Sequence, residues 1–131
     1  VNVIPPAQFR TSYVFFSDPS YPTTHLVFVR TKASDSTFKD VTLDCAGKLT
    51  GWKTIGAYEY TRFDVVHDDF EKNGACDNGR HEAKSDGPFA ITVWGWGQKG
   101  TSVYSEACSY AYPAGAGVSP INTVVVPPSP K

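Results

Sequence analysis

The sequence predicts an all-β fold, an antiparallel β-sandwich or its jelly-roll variant, on three observations. β-Branched and aromatic residues are abundant, aromatics alone making up 14% of the chain, and such residues suit the pleated, half-buried surface of a sheet. Turn chemistry recurs every ~8–15 residues, the spacing of short strands in sandwiches. No window carries the sustained 3.6-residue apolar period of a helix.

Taken in order, the chain opens on Val3-Ile4-Pro5-Pro6, an extended segment that cannot become helix. Strands are expected over 12–16, 25–31, 38–44, 52–55, 59–66, 80–84, 89–96, 103–112 and 121–126. The separators are Asp18-Pro19-Ser20, residues 33–36, Ala46-Gly47-Lys48, Asn73-Gly74, Asp77-Asn78-Gly79, Ser85-Asp86-Gly87-Pro88 and Gln98-Lys99-Gly100. Glycine and asparagine supply positive φ at such places, and proline presets other turn positions. Val124-Val125-Val126-Pro127-Pro128 repeats the opening punctuation near the far end. The expected organisation is one domain over 1–131, with Pro-rich borders at 1–6 and 124–131 that suit stiff spacers in a multi-domain chain.

Length and composition support this. A chain of 131 residues, 40% hydrophobic and 19% charged, is long enough to bury a core without a metal or a dense disulfide framework. Twelve Lys and Arg against 13 Asp and Glu give a net charge of −1, so no basic stripe exists to neutralise phosphates and no nucleic-acid partner is expected. No apolar run reaches the length of a membrane span, and no signal peptide opens the chain. With Val1 first and no methionine, the chain is expected to be an excised or processed piece of a larger protein.

Cys45, Cys76 and Cys108 are an odd number without metal-ligand spacing, which points to one disulfide and one leftover thiol in an exported protein. A Cys45–Cys76 bridge would tie a long loop to the sheet, closing about 30 residues and contributing about 3–4 kcal/mol. Cys108 is then the unpaired one, although all three single pairings remain open on sequence alone.

The segment 89–96 carries the candidate site. Phe89, Ile91 and Val93 share one face and read as core, while Thr92, Trp94 and Trp96 share the other. Gly95 and Gly97 are read as leaving backbone accessible beside the rings. Two large aromatics on an outer face are the arrangement a sugar-binding platform uses, although packing under a loop is the favoured reading of the pair. Tyr104, Tyr110 and Tyr112 are lesser ligand-binding candidates. Asp69-x-Glu71-x-Asn73-Gly74, followed by Asp77, approaches a calcium loop. Its closing carboxylate falls on Arg80, so a solvated acidic loop is favoured over bound calcium. A nucleophile elbow is missing, and His25, His67 and His81 show no catalytic order. A hydrolase using His67 or His81 is the least favoured reading.

Two phrases carry a family resemblance. Asp86-Gly87-Pro88-Phe89-Ala90-Ile91-Thr92-Val93-Trp94-Gly95-Trp96 leads to Ser109-Tyr110-Ala111-Tyr112-Pro113-Ala114-Gly115, while Ile4-Pro5-Pro6-Ala7-Gln8-Phe9 and Ser12-Tyr13-Val14 stand near the start. Together they resemble the IgGFc-binding protein N-terminal domain family, particularly its bacterial surface members. The resemblance implies an extracellular β-rich domain of a large mosaic protein linked to adhesion or mucus, with no catalytic residues to carry over. The expected function is a non-catalytic adhesion or ligand-binding module, secreted or on a cell surface, with a glycan or protein ligand. The alternative is a structural spacer or assembly unit joining subunits or neighbouring domains, in which a strand over 124–126 adds to another chain's sheet.

Overall fold

The computed structural model describes residues 2–100 and 104–118. The expected strand over 121–126 and the border at 124–131 lie outside them. A 3-10 turn at Pro6–Gln8 is followed by β1 (Arg10–Ser17), β2 (Thr23–Arg30), β3 (Val41–Leu43), β4 (Gly47–Lys48), β5 (Lys53–Ile55), β6 (Tyr58–His67), β7 (Glu71–Lys72), β8 (Gly79–Trp96) and β9 (Ser109–Pro113). The fold is all-β and every ladder is antiparallel. The two sheets of a sandwich or jelly roll are not what the described residues form: all nine strands belong to one sheet, in the order β4-β3-β8-β2-β6-β5, with β1 and β9 on β8 and β7 on β6.

The reason lies in β8. Ser85-Asp86-Gly87-Pro88 reads as a turn between two strands, yet the chain runs through it as one strand of 18 residues. What changes there is the set of partners. Residues up to Ser85 pair with β1 and β3, whereas Phe89 to Trp96 pair with β2 and Thr92 to Trp96 with β9, Phe89 alone keeping a β1 partner in Arg10. A Cβ on Gly87 would lie 2.8 Å from Lys39 Cγ, so only glycine admits the 31–40 loop crossing there. The Pro88 carbonyl accepts from Thr31 N–H.

The sheet is curled into a half-barrel. A straight β8 would set Lys48, in register with Lys84 through Thr42, roughly 20 Å from Lys53, in register with Ala90 through Tyr60 and Val29, but residues 49–52 alone join them and reach at most about 18 Å. The two ends meet at a seam where Thr61 Oγ1 donates to Thr50 O at 2.8 Å. A second contact gives the same conclusion: Tyr112, paired to Val93, hydrogen-bonds Phe16, paired to Arg80. Those two partners would be about 40 Å apart on an extended strand.

Curling gives the sheet one inner face. Odd residues of β8 (His81, Ala83, Gly87, Phe89, Ile91, Val93, Gly95) are buried, and even ones face out. Leu26 and Phe28 of β2, Val41 and Leu43 of β3, and Val65 of β6 complete the core with Tyr13 and Phe15. Tyr13 packs edge-on against Phe89 at 5.0 Å and donates to its carbonyl at 2.7 Å. At the end of β2, the Arg30 guanidinium lies 3.9 Å over the Trp52 ring, pairs with Glu59 at 2.6 Å, and donates to Lys39 O. It thereby pins the long loop that crosses at Gly87. Cys45, between β3 and β4, is disulfide-bonded to Cys76, just before β8, across 31 residues. Cys108 is free and exposed.

Candidate functional site

Trp94 and Trp96 face out from the end of β8, and the geometry joins them to a residue on the next strand. His25 of β2 pairs with Trp94. The two indoles are nearly parallel, 5° between planes and 5.6 Å between centroids. The His25 ring stacks at 6.2 Å from Trp94 and 6.0 Å from Trp96. Trp96 Nε1–H donates to His25 Nε2 at 3.4 Å, which places the imidazole's own proton on Nδ1. That Nδ1 is buried and has no hydrogen-bond partner. Burial lowers the His25 pKa, with the Arg62 charge adding to the effect and Asp64 opposing it. Trp96 remains 43% exposed, so the triad presents one open indole above a covered neutral histidine. His25 was the member that sequence reasoning left out, because only the β2–β8 register places it under the rings.

Below the triad, the outer face continues as an apolar groove of about 420 Å³. Trp94, Val29 and Pro113 form its floor, and Ile4, Phe9 and Tyr58 stand along it. Pro6, which opens the 3-10 turn, lines the groove with Ile4 and Phe9.

The other aromatic candidates do not join this surface. Tyr110 and Tyr112 pair with Gly95 and Val93, inner-face positions, and are therefore turned away from the tryptophans. The Tyr112 hydroxyl accepts from Phe16 N–H at 3.2 Å and donates to the Phe16 carbonyl. The Tyr110 hydroxyl accepts from Asp18 N–H at 3.0 Å. Burial raises the pKa of both. Tyr104 is 87% exposed and stands apart. The expected strand over 103–112 begins only at Ser109, since Tyr104 to Ala107 form a turn. The two glycines also differ from expectation: a Cβ on Gly95 would lie 2.1 Å from Tyr110 Cε1, and one on Gly97 1.5 Å from Ser105 O. Their missing side chains admit the protein's own groups and leave no backbone open to a ligand.

The four calcium candidates have separate tasks. Asp77 pairs with Lys72 at 2.6 Å, Asn73 Nδ2 donates to Asp64 O, Glu71 lies 3.8 Å from His67, and Asp69 is exposed. The ligand atoms that do converge belong to His67, Asp68 and Glu71 on the surface, and to Asp44, Cys45 and His81. In the second group Cys45 is committed to the disulfide. His81 is buried there, with Nε2 2.8 Å from Asp77 O and Nδ1 3.3 Å from Asp44 Oδ1, a clasp between the disulfide and β8 whose hydrogen-bond partners include no hydroxyl.

A curled antiparallel sheet with an exposed aromatic cluster and an apolar groove defines a β-rich binding module. The chain belongs to the IgGFc binding protein family, whose model matches residues 1–95. The match includes His25 and Trp94 and stops just before Trp96. No curated protein and no solved structure matches the chain. The disulfide and the family are consistent with an extracellular location. Among the described residues no helix is long and apolar enough to cross a membrane.

Proposed function

We propose that the chain is a non-catalytic adhesion or ligand-binding module of a secreted or surface protein, a bacterial one on the resemblance of its motifs, and that it takes its ligand on the outer face at Trp94 and Trp96. The parallel indole pair beside an apolar groove carries this reading. Large aromatics that are rigidly held and partly open supply much contact area for little lost side-chain freedom, which is why they dominate binding energetics. The family's description names immunoglobulin Fc, so a protein ligand is the first class to test and a glycan the second.

The test is a binding screen of the purified domain against Fc, mucins and arrayed glycans, repeated with Trp96→Ala. A hit that weakens at least about tenfold in the variant supports the outer face, and undiminished binding by a folded variant removes it. An assembly reading has one observation in its favour. Val14 and Phe16, 58% and 56% exposed, lie side by side on β1, which pairs only with β8 among the described residues. Sedimentation of wild type and Val14→Lys checks it: self-association lost in the variant supports a strand-edge contact, and a wild type monomeric at high concentration argues against one.

A further inference from the structure

The seam where the two ends of the sheet meet holds a second cavity, about 500 Å³, whose walls share no residue with the apolar groove. That volume lies in the range of pockets that enclose small ligands. Its walls come from both ends of the sheet: Lys48 of β4, Thr50 in the connection, Lys53 of β5, and Tyr60 and Arg62 of β6. Three cations therefore converge from separate elements, in a chain whose overall charge is −1, and among the described residues no carboxylate lines the cavity.

Two of the cations have partners. Lys48 pairs with Asp40 at 2.7 Å, and Arg62 Nε donates to Asp64 at 2.9 Å. The Lys53 ammonium has no ion pair or hydrogen bond among the described residues. Three cations against two carboxylates leave one positive charge uncompensated. The two terminal amino groups of Arg62 also lack partners among the described residues, and a planar fork of that kind matches the spacing of carboxylate or sulfate oxygens. Tyr60, partly exposed, adds a ring for sugar C–H contact, and its hydroxyl and that of Thr50 add neutral hydrogen-bonding groups.

The geometry points to a binding site for an anionic sugar, a carboxylated or sulfated residue of a glycan, with Lys53 and Arg62 holding the acid group and Tyr60 the ring. The bend in β8 creates it: on a straight β8, β4 and β6 would hang from stretches roughly 20 Å apart, too far to share a ligand. Its walls share no residue with the outer-face groove, and Arg62, whose charge also reaches His25, is the one link between the two sites among the described residues, so each can fail without the other.

Two indole N–H signals separate the sites in a nitrogen-15 NMR spectrum. Trp52 Nε1 donates to Leu49 O on the seam wall, whereas Trp96 Nε1 donates to His25. The probes are sialyllactose, sulfated lactose and unmodified lactose. Either acidic sugar is expected to shift the Trp52 indole and the Thr50, Lys53 and Arg62 amides, with lactose silent; which acidic sugar does so tells carboxylate from sulfate. Lys53→Gln, an exposed change that leaves the fold intact, is expected to weaken binding about tenfold, the loss of one charge-assisted contact. Raising the salt should weaken it further as the charges are screened. The inference is overturned if neither acidic sugar moves these signals, if lactose binds as well as they do, or if Lys53→Gln binds like wild type. It is equally overturned if a glutamate-rich peptide occupies the site and the sugars do not.

Discussion

His25 is a base held against two indoles with a lowered pKa, and that arrangement has a pH signature. Burial, with help from Arg62, holds its pKa below the ordinary 6.5. The unfolded chain therefore takes up this proton first, so the contribution is complete above about 6.5 and is lost as pH falls towards the lowered folded value. Denaturant midpoints measured between about pH 7.5 and 5 should fall more for wild type than for His25→Phe. Carboxylates act in a separate window. Asp35, held at about 2 by Lys39 and Thr37, loses its contribution only as pH falls from 3.8 towards that value. Gly95 makes a second point at this scale. Gly95→Ala drives a methyl into the Tyr110 ring and is expected to cost about 3 kcal/mol, read as a lowered melting temperature. The alternation of Trp94 and Trp96 on one face was legible in the sequence, because side-chain direction in a strand has a period of two. The roles of His25, Tyr110 and Gly95 were not, since each depends on which strand lies alongside.

Strand β8 shows how one element sets the architecture. The residues that commonly break a strand, Asp86-Gly87-Pro88, here bend one and hand it from β1 and β3 to β2 and β9. Composition alone cannot separate these outcomes, because both need a small residue and a missing N–H. That is why the strands were largely legible and the sandwich was not. The two-residue strands β4 and β7 lie below any periodic signal. The free side of β1 is held by Tyr112, whose hydroxyl serves both the N–H and the carbonyl of Phe16. Tyr112→Phe removes both bonds and is expected to cost about 1 kcal/mol, reduced by the exposure of that edge. Hydrogen exchange at the Phe16 amide should quicken in the variant, while amides in the centre of β2 keep their protection.

Across the whole molecule, the disulfide and the seam close the curl. Cys45–Cys76 ties the β3–β4 end to the approach of β8. Replacing both cysteines by alanine is expected to cost about 3–4 kcal/mol in the chain-entropy account, roughly 10 °C of melting temperature for a domain of this size. An unchanged melting temperature would mean that His81, Asp44 and the strand ladders hold this region unaided. The odd cysteine count announced a bridge, but its partners are fixed by a topology that periodicity does not encode. The central claim is that ligand is taken on the outer face at Trp94 and Trp96. The most direct measurement is the set of three indole N–H resonances, one for each tryptophan, followed while Fc or a mucin glycopeptide is titrated into the labelled domain. The Trp94 and Trp96 signals are expected to shift and saturate while Trp52 stays in place. Saturable binding that leaves both of those signals unmoved would contradict the claim.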